Sequence, residues 1–194
     1  MNMALDVMQD QEETRRQVYR GLHLASAGHF NGEWLARMLA SRAAGFGAMP
    51  ERLGLTSKQF GALMARHFPG IDPHSFAGGA VMPLDRVEER EELRKLFLVH
   101  AADMDPERVW IADLLVAGCM GDDHLWQDLG LWSRQDVSAL ITHNFPALKA
   151  KNDRDMKWKK FLYKQLCIQE GVYTCRAPSC EVCGDFSTCF GQEA

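Results

Sequence analysis

A chain of 194 residues is long enough to bury an ordinary hydrophobic core, so it needs neither disulfides nor a metal merely to stay folded. Its 22 basic and 26 acidic residues leave a formal charge of -4, which argues against the broad basic surface that displaces counterions from nucleic acid. With 46% apolar and 25% charged residues, the composition is that of a globular protein and not of a fibre, a disordered chain or a membrane protein.

The first residues, MNMALDVMQDQEETRR, place acids where a secretory signal carries a basic end and an apolar centre. The longest apolar stretch, VWIADLLVAGCM, is interrupted by Asp113. The expectation is a cytoplasmic protein without a membrane anchor. There cysteines stay reduced, and clustered thiols serve as metal ligands or redox sites, not as a disulfide framework.

Helical spacing dominates everything before the cysteine-rich end, and no alternating strand pattern competes with it. The predicted fold is an all-α helical bundle with helices near 10–27, 31–44, 56–67, 84–102, 106–119, 133–143 and 152–168. Thr56-x-x-Gln59 has the form of a capping box ahead of Phe60 and Leu63. Asp105-Pro106 reads as an N-cap followed by a first-turn proline, opening a helix through Val109, Leu114 and Leu115. Ser133 caps the stretch containing Val137, Leu140 and Ile141. Residues 1–168 form a helical domain, and 169–194 an irregular Cys-rich, metal-binding tail packed on it.

Within the helical domain, WLARMLASRAAGFGAMPERLGLTSKQ aligns without a gap against WIADLLVAGCMGDDHLWQDLGLWSRQ. Trp34 falls on Trp110, Gly45 on Gly121 and Leu53-Gly54-Leu55 on Leu129-Gly130-Leu131. After one inserted residue, Phe68-Pro69 falls on Phe145-Pro146. The pattern reads as an internal duplication of a helix–loop–helix unit, 34–69 and 110–146, packed as a pseudo-twofold pair. Potential ligands gather in the second copy: Cys119 stands where the first has Ala43, Asp122 where it has Phe46, and His124 where it has Ala48.

Several residues carry two readings. Asp122 and Asp123 follow Gly121 and are read as caps for a short helix containing Leu125 and Trp126, in preference to catalysis. His124 is either a solvent-facing histidine or a metal ligand. Cys119 and Cys167, each on or just after an apolar helix, are either packed as small hydrophobes or ligate a metal. Trp110, Trp126, Trp132 and Trp158 read as core or half-buried anchors, with Trp126 also able to shield a metal centre. In KWKKFLYKQLC, Trp158, Phe161 and Leu162 form one face, while Lys157, Lys160 and Lys164 lie largely on the other. That charged face is either simply solvated or an attractor for anions. No phosphate-binding glycine loop, H-E-x-x-H pair or nucleophile–base arrangement is found, so the chain is not expected to be an enzyme.

The strongest motif comes last. Cys175, Cys180, Cys183 and Cys189, spaced C-x4-C-x2-C-x5-C with Pro178, Gly184 and Gly191 to turn the backbone, place four soft ligands in one short segment. Thiolates select iron–sulfur clusters, zinc or copper(I) over hard cations. The spacing fits neither the usual zinc patterns nor the common ferredoxin runs. An iron–sulfur centre is favoured, and four-cysteine zinc remains the alternative. Zinc would make the chain a helical protein-interaction module, and a cluster alone would make it a simple iron–sulfur electron carrier. Arg176, inside the motif, is a candidate to offset cluster charge.

Together, WKKFLYKQLCIQEGVYTCRAPSCEVCGDFSTCFG and the upstream GCMGDDHLWQDLGL resemble the NifQ family of nitrogen fixation, most clearly over 117–191. The tail matches that family's cysteine pattern at every position. The resemblance implies a carrier that takes up molybdenum from molybdate or another source, holds it on an iron–sulfur cluster of 4Fe–4S or 3Fe–4S type, and delivers it for iron–molybdenum cofactor biosynthesis. The implied recipients are the NifEN scaffold and the nitrogenase iron protein NifH. The implied cluster ligands are Cys175, Cys180, Cys183 and Cys189, with Cys119, Cys167 and His124 as further metal candidates.

Overall fold

Capping and apolar spacing between them dictate the helices that form. The computed structural model describes residues 3–76, 78 and 87–170, and among them every regular element is helical. The α-helices are α1 (Met3–Leu24), α2 (Gly32–Ala43), α3 (Ser57–His67), α4 (Val87–Leu98), α5 (Pro106–Cys119), α6 (Leu125–Asp128), α7 (Arg134–Asn144), α8 (Pro146–Lys151) and α9 (Trp158–Glu170), with single turns at Glu51–Gly54 and Pro73–Phe76. The Cys-rich end lies outside the described residues.

All three caps expected from the sequence form. The Thr56 side chain accepts the Gln59 amide at the start of α3, and the Gln59 side chain returns to the Thr56 amide at 3.0 Å. Asp105 accepts the Glu107 amide at 2.9 Å, with Pro106 in the first turn of α5. Ser133 accepts from Asp136, whose carboxylate takes the Ser133 amide in return. Each cap satisfies donors that a helix start leaves open.

Helix ends depart from the sequence expectation where side chains compete for the backbone. The last helix begins at Trp158 and not near 152, because the Asn152 carboxamide captures Met156 through both its amide and its carbonyl, at 2.8 and 3.0 Å. Such local bonds offer the backbone an alternative to the helix. The stretch just before it, between the predicted helices 133–143 and 152–168, forms α8, since Pro146 suits a first turn. Helix α1 starts earlier than expected, across the good helix formers Met3, Ala4 and Leu5, and stops before the positive-φ Gly28. Helix α4 ends at Leu98, with the His100 ring against the Leu96 carbonyl.

The core is continuous. Leu35 and Leu39 of α2, Phe60 and Leu63 of α3, Ile111 and Leu115 of α5, Val137 and Leu140 of α7, and Phe161 and Leu162 of α9 are all essentially inaccessible. Burying a side chain of this size contributes about 1.5–3 kcal/mol. Trp158 is buried and Trp110 and Trp126 are half-buried, as expected, while Trp132 lies nearer the surface with the Arg37 guanidinium 4.8 Å over its ring.

Buried polar groups join the helices at the centre. The carboxamides of Asn31 and Asn144 donate to each other, at 3.0 and 2.8 Å. The Asn31 amide also donates to Glu107 at 2.7 Å, and His67 Nε2 lies 2.8 Å from the same carboxylate. Burial pushes the Glu107 carboxyl up, but hydrogen bonds from His67 and Asn31 and the nearby cationic charge outweigh it, so Glu107 sits below its ordinary range.

Candidate metal centre

The four tail cysteines, with Arg176, lie outside the described residues, so the body's contribution rests on α5, α6, α9 and the turn between α5 and α6. Cys119, at the end of α5, is fully buried, and Cys167, near the end of α9, is 7% exposed. The end of α5 is tied to α9 where the Tyr163 hydroxyl donates to the Cys119 carbonyl at 3.5 Å, and Cys167 sits one turn beyond Tyr163 on α9. His124, in contrast, is exposed. Among the described residues no three His, Cys, Asp or Glu side chains are placed to hold a metal ion, so these candidates do not form a site by themselves.

The turn after Cys119 is held from beneath by a buried ion pair. Lys159 Nζ contacts the Asp128 carboxylate and donates to the Gly121 carbonyl at 2.7 Å, and the same carboxylate accepts the Asp123 amide at 3.1 Å. A Cβ on Gly121 would come within 2.4 Å of the Asp128 carboxyl, so the fit requires glycine. Burial pushes the Asp128 carboxyl up despite Lys159, and the neighbouring Asp123 charge adds to the rise. Asp122 and Asp123 are not caps. Drawing the Asp123 amide onto Asp128 shifts the helix start, and the N-cap of α6 is His124, whose amide donates to the Gln127 side chain at 3.3 Å.

Sequence reasoning missed Lys159 and Asp128. A signal existed: Lys159 falls three, four and seven residues before Leu162, Tyr163 and Leu166, on the apolar stripe of α9. Of the lysines read as a charged face, Lys157 is exposed, while Lys160 and Lys164 are half-exposed.

Above this pair a cleft of about 620 Å³ opens between the 122–127 turn and the first turn of α9. Leu125, Val137, Trp126 and Trp158 give it an apolar floor, and Asp122, Asp123, His124, Arg134, Lys157 and Lys160 form its charged rim. Such a place can receive a polypeptide or an anionic group partly shielded from water. No helix of the described residues is long and apolar enough to cross a membrane.

Residues 34–191 match the NifQ family model, which takes in the core, the cleft and all four tail cysteines. The chain is 41% identical to protein NifQ of Azotobacter vinelandii over 174 residues, covering 84% of this chain and 89% of that one. It is 37% identical to NifQ of Rhodobacter capsulatus, over 82% of this chain and 87% of that one. It is 34% identical to NifQ of Klebsiella pneumoniae, over 81% and 97% respectively. No solved structure matches the chain. A match of this extent places the chain in the NifQ family, the molybdenum donors of iron–molybdenum cofactor biosynthesis, which are carriers and not enzymes.

Proposed function

We propose that the chain carries molybdenum on an iron–sulfur cluster held by Cys175, Cys180, Cys183 and Cys189. The single observation that carries this reading is the C-x4-C-x2-C-x5-C run inside the family-matched segment. Four soft thiols within one short segment suit a cluster, and the described body offers no competing ligand set. The tail 169–194 acts as the metal-binding unit on the helical domain 1–168. A cluster of 4Fe–4S or 3Fe–4S type held by these four thiolates would offer soft sulfur ligands to molybdenum, which enters as the hard oxyanion molybdate. The cargo passes in the cytoplasm to the NifEN scaffold with the iron protein NifH.

His124, Cys119 and Cys167 are assigned to the molybdenum and not to the cluster. His124 is exposed and reaches it directly, whereas the two thiols are buried and become ligands only when the packing around them opens.

The body's two units, 34–69 and 110–146, descend from one duplicated unit. Supporting this, the equivalent caps Phe68 and Phe145 share φ,ψ values of -134°, 63° and -138°, 59°. The contacts between units also exchange. With the inserted residue placed ahead of the caps Thr56 and Ser133, Asn31, three residues before the first unit, with Asn144 corresponds to Glu107, three residues before the second, with His67, and Asp136 with Arg37 (2.8 Å) corresponds to Gln59 with Asp113 (2.9 Å). These pairs are what a pseudo-twofold axis produces.

Purification without oxygen, with iron, sulfide, zinc and molybdenum measured on one sample, tests the reading. A brown protein holding iron, sulfide and molybdenum is expected, and replacing any tail cysteine by serine is expected to remove cluster and molybdenum together. His124→Ala is expected to keep iron and lose molybdenum. A colourless protein holding zinc overturns the carrier reading in favour of an interaction module, and iron and sulfide without molybdenum would make it an electron carrier.

A further inference from the structure

The tail leaves the body at Glu170, at the end of α9, whereas the cleft opens at the other end of that helix. We propose that segment 171–194 folds back along α9 and seats its metal centre in this cleft, between the 122–127 turn and Lys157–Lys160. The proposal rests on the metal-carrier reading and adds where the centre sits.

The chain length allows it. The 13 residues of α9 span about 20 Å at a rise of 1.5 Å each. From Glu170 to Cys175 is five residues, up to about 17 Å when extended, which brings the first ligand to the edge of the cleft, and ten residues to Cys180, up to about 33 Å, let Cys180, Cys183 and Cys189 reach into it. Potential metal-binding groups also follow this path. Cys167 lies in the last turns of α9, Cys119 is tied to its middle through Tyr163, the turn after it to Lys159, and His124 lines the cleft.

Charge favours the same occupant. The segment holds one cation, Arg176, against Glu181, Asp185 and Glu193, before any thiolate is counted. The cleft presents Arg134, Lys157 and Lys160, in a chain whose net charge is -4. The rim acids Asp122 and Asp123 oppose this attraction, and Arg134 is also paired with Asp155 at 3.0 Å, so the attraction is carried by Lys157 and Lys160. The apolar floor made by Leu125 and Trp126 lowers the local dielectric and keeps water from a bound cluster. The buried Lys159–Asp128 pair fixes the turn that carries His124, so the seat is built before the centre arrives.

The test compares the full chain, metal-free and anaerobically loaded with iron, sulfide and molybdate, by histidine acylation with diethyl pyrocarbonate and by amide hydrogen exchange. Loading is expected to slow acylation of His124 about fivefold and to protect the 122–127 amides, as occlusion of an open segment does. The exposed His23 and His74, remote from the cleft, are expected to stay unchanged. Lys157→Glu with Lys160→Glu is expected to speed metal loss to a chelator about tenfold, an effect that falls with added salt. The pair Lys58→Glu and Lys95→Glu, exposed elsewhere, is expected not to. A loaded chain whose His124 and 122–127 amides stay as reactive as before overturns the seat while leaving the carrier reading intact. So does equal metal loss from both charge-reversed pairs. A chain that retains neither iron nor molybdenum overturns both.

Discussion

Segments 34–69 and 110–146, paired by the proposed duplication, share a capping box on the second helix, a buried leucine in the connection and a buried phenylalanine near the end, yet they cross from first helix to second by different routes. In the first, the chain reaches the buried Leu53 through a left-handed turn, with Arg52 and Leu53 at φ of 50° and 55°. In the second it reaches the equivalent Leu129 through the right-handed turn α6, capped by His124. Arg52 and Asp128 fall opposite each other when the two segments are aligned in sequence. Arg52 is partly exposed and pairs with its neighbour Glu51, whereas Asp128 is buried on Lys159. The difference teaches that the first connection closes on a buried leucine, while the second is also built around a desolvated ion pair that presents a turn and a histidine to a cleft.

The largest expected effect breaks that contrast at the ion pair. Lys159→Met leaves Asp128 buried opposite no cation and is expected to cost about 3–5 kcal/mol in urea unfolding, the usual result of removing one partner of a buried pair. Adding Asp128→Asn should recover much of the loss, since an amide needs no counter-charge. Arg52→Met, at the matching position, is expected to cost less than about 1 kcal/mol, as a partly exposed pair should. Equal losses at 52 and 159 would erase the distinction between the connections.

Much of this was legible in the sequence because it is local. Thr56-x-x-Gln59, Asp105-Pro106 and Ser133 announce their helices within four residues, and each cap forms. The all-α class and the apolar faces followed from periodicity. What stayed hidden depends on partners far along the chain or on local competition. Asp128 finds Lys159 31 residues away, and nothing near Asp122 and Asp123 says that their turn will close on it. Asn152 looks like any helix residue until its side chain takes Met156. The cysteine motif was the clearest feature of the sequence and lies outside the described residues, so the candidate site is legible in two halves: the proposed ligands from the sequence, the proposed seat from the fold.

A middle-sized effect sharpens the comparison at the centre of the body, where one inter-unit pair is neutral and its counterpart is ionisable. Asn144→Ala leaves the Asn31 side-chain oxygen without its donor and removes an acceptor from Arg108, and is expected to cost about 1–3 kcal/mol at any pH near neutrality. The Glu107–His67 counterpart is expected to respond to acid. The folded carboxyl titrates below its ordinary value of 4.5, so its contribution is present above that value and is lost as pH falls through the lower folded value. Urea midpoints of the native chain should therefore fall more steeply with acid than those of Glu107→Gln. Parallel acid limbs would show that Glu107 contributes nothing through its charge.

The smallest expected effect asks whether the two units are equivalent where they look most alike. Thr56→Ala and Ser133→Ala each remove a side-chain acceptor from a helix start, and each is expected to cost about 1 kcal/mol. The N3 partners are tied across the body in matching ways, Gln59 to Asp113 of α5 and Asp136 to Arg37 of α2. Each cap therefore also sets the contact between units, and the losses should couple to those contacts. Thr56→Ala should cost less in an Asp113→Ala background, and Ser133→Ala less in an Arg37→Ala background, when measured as double-mutant cycles. Coupling at both caps makes them parts of one repeated joint, whereas coupling at only one would mean that the second unit has kept the shape of the joint and not its energetics.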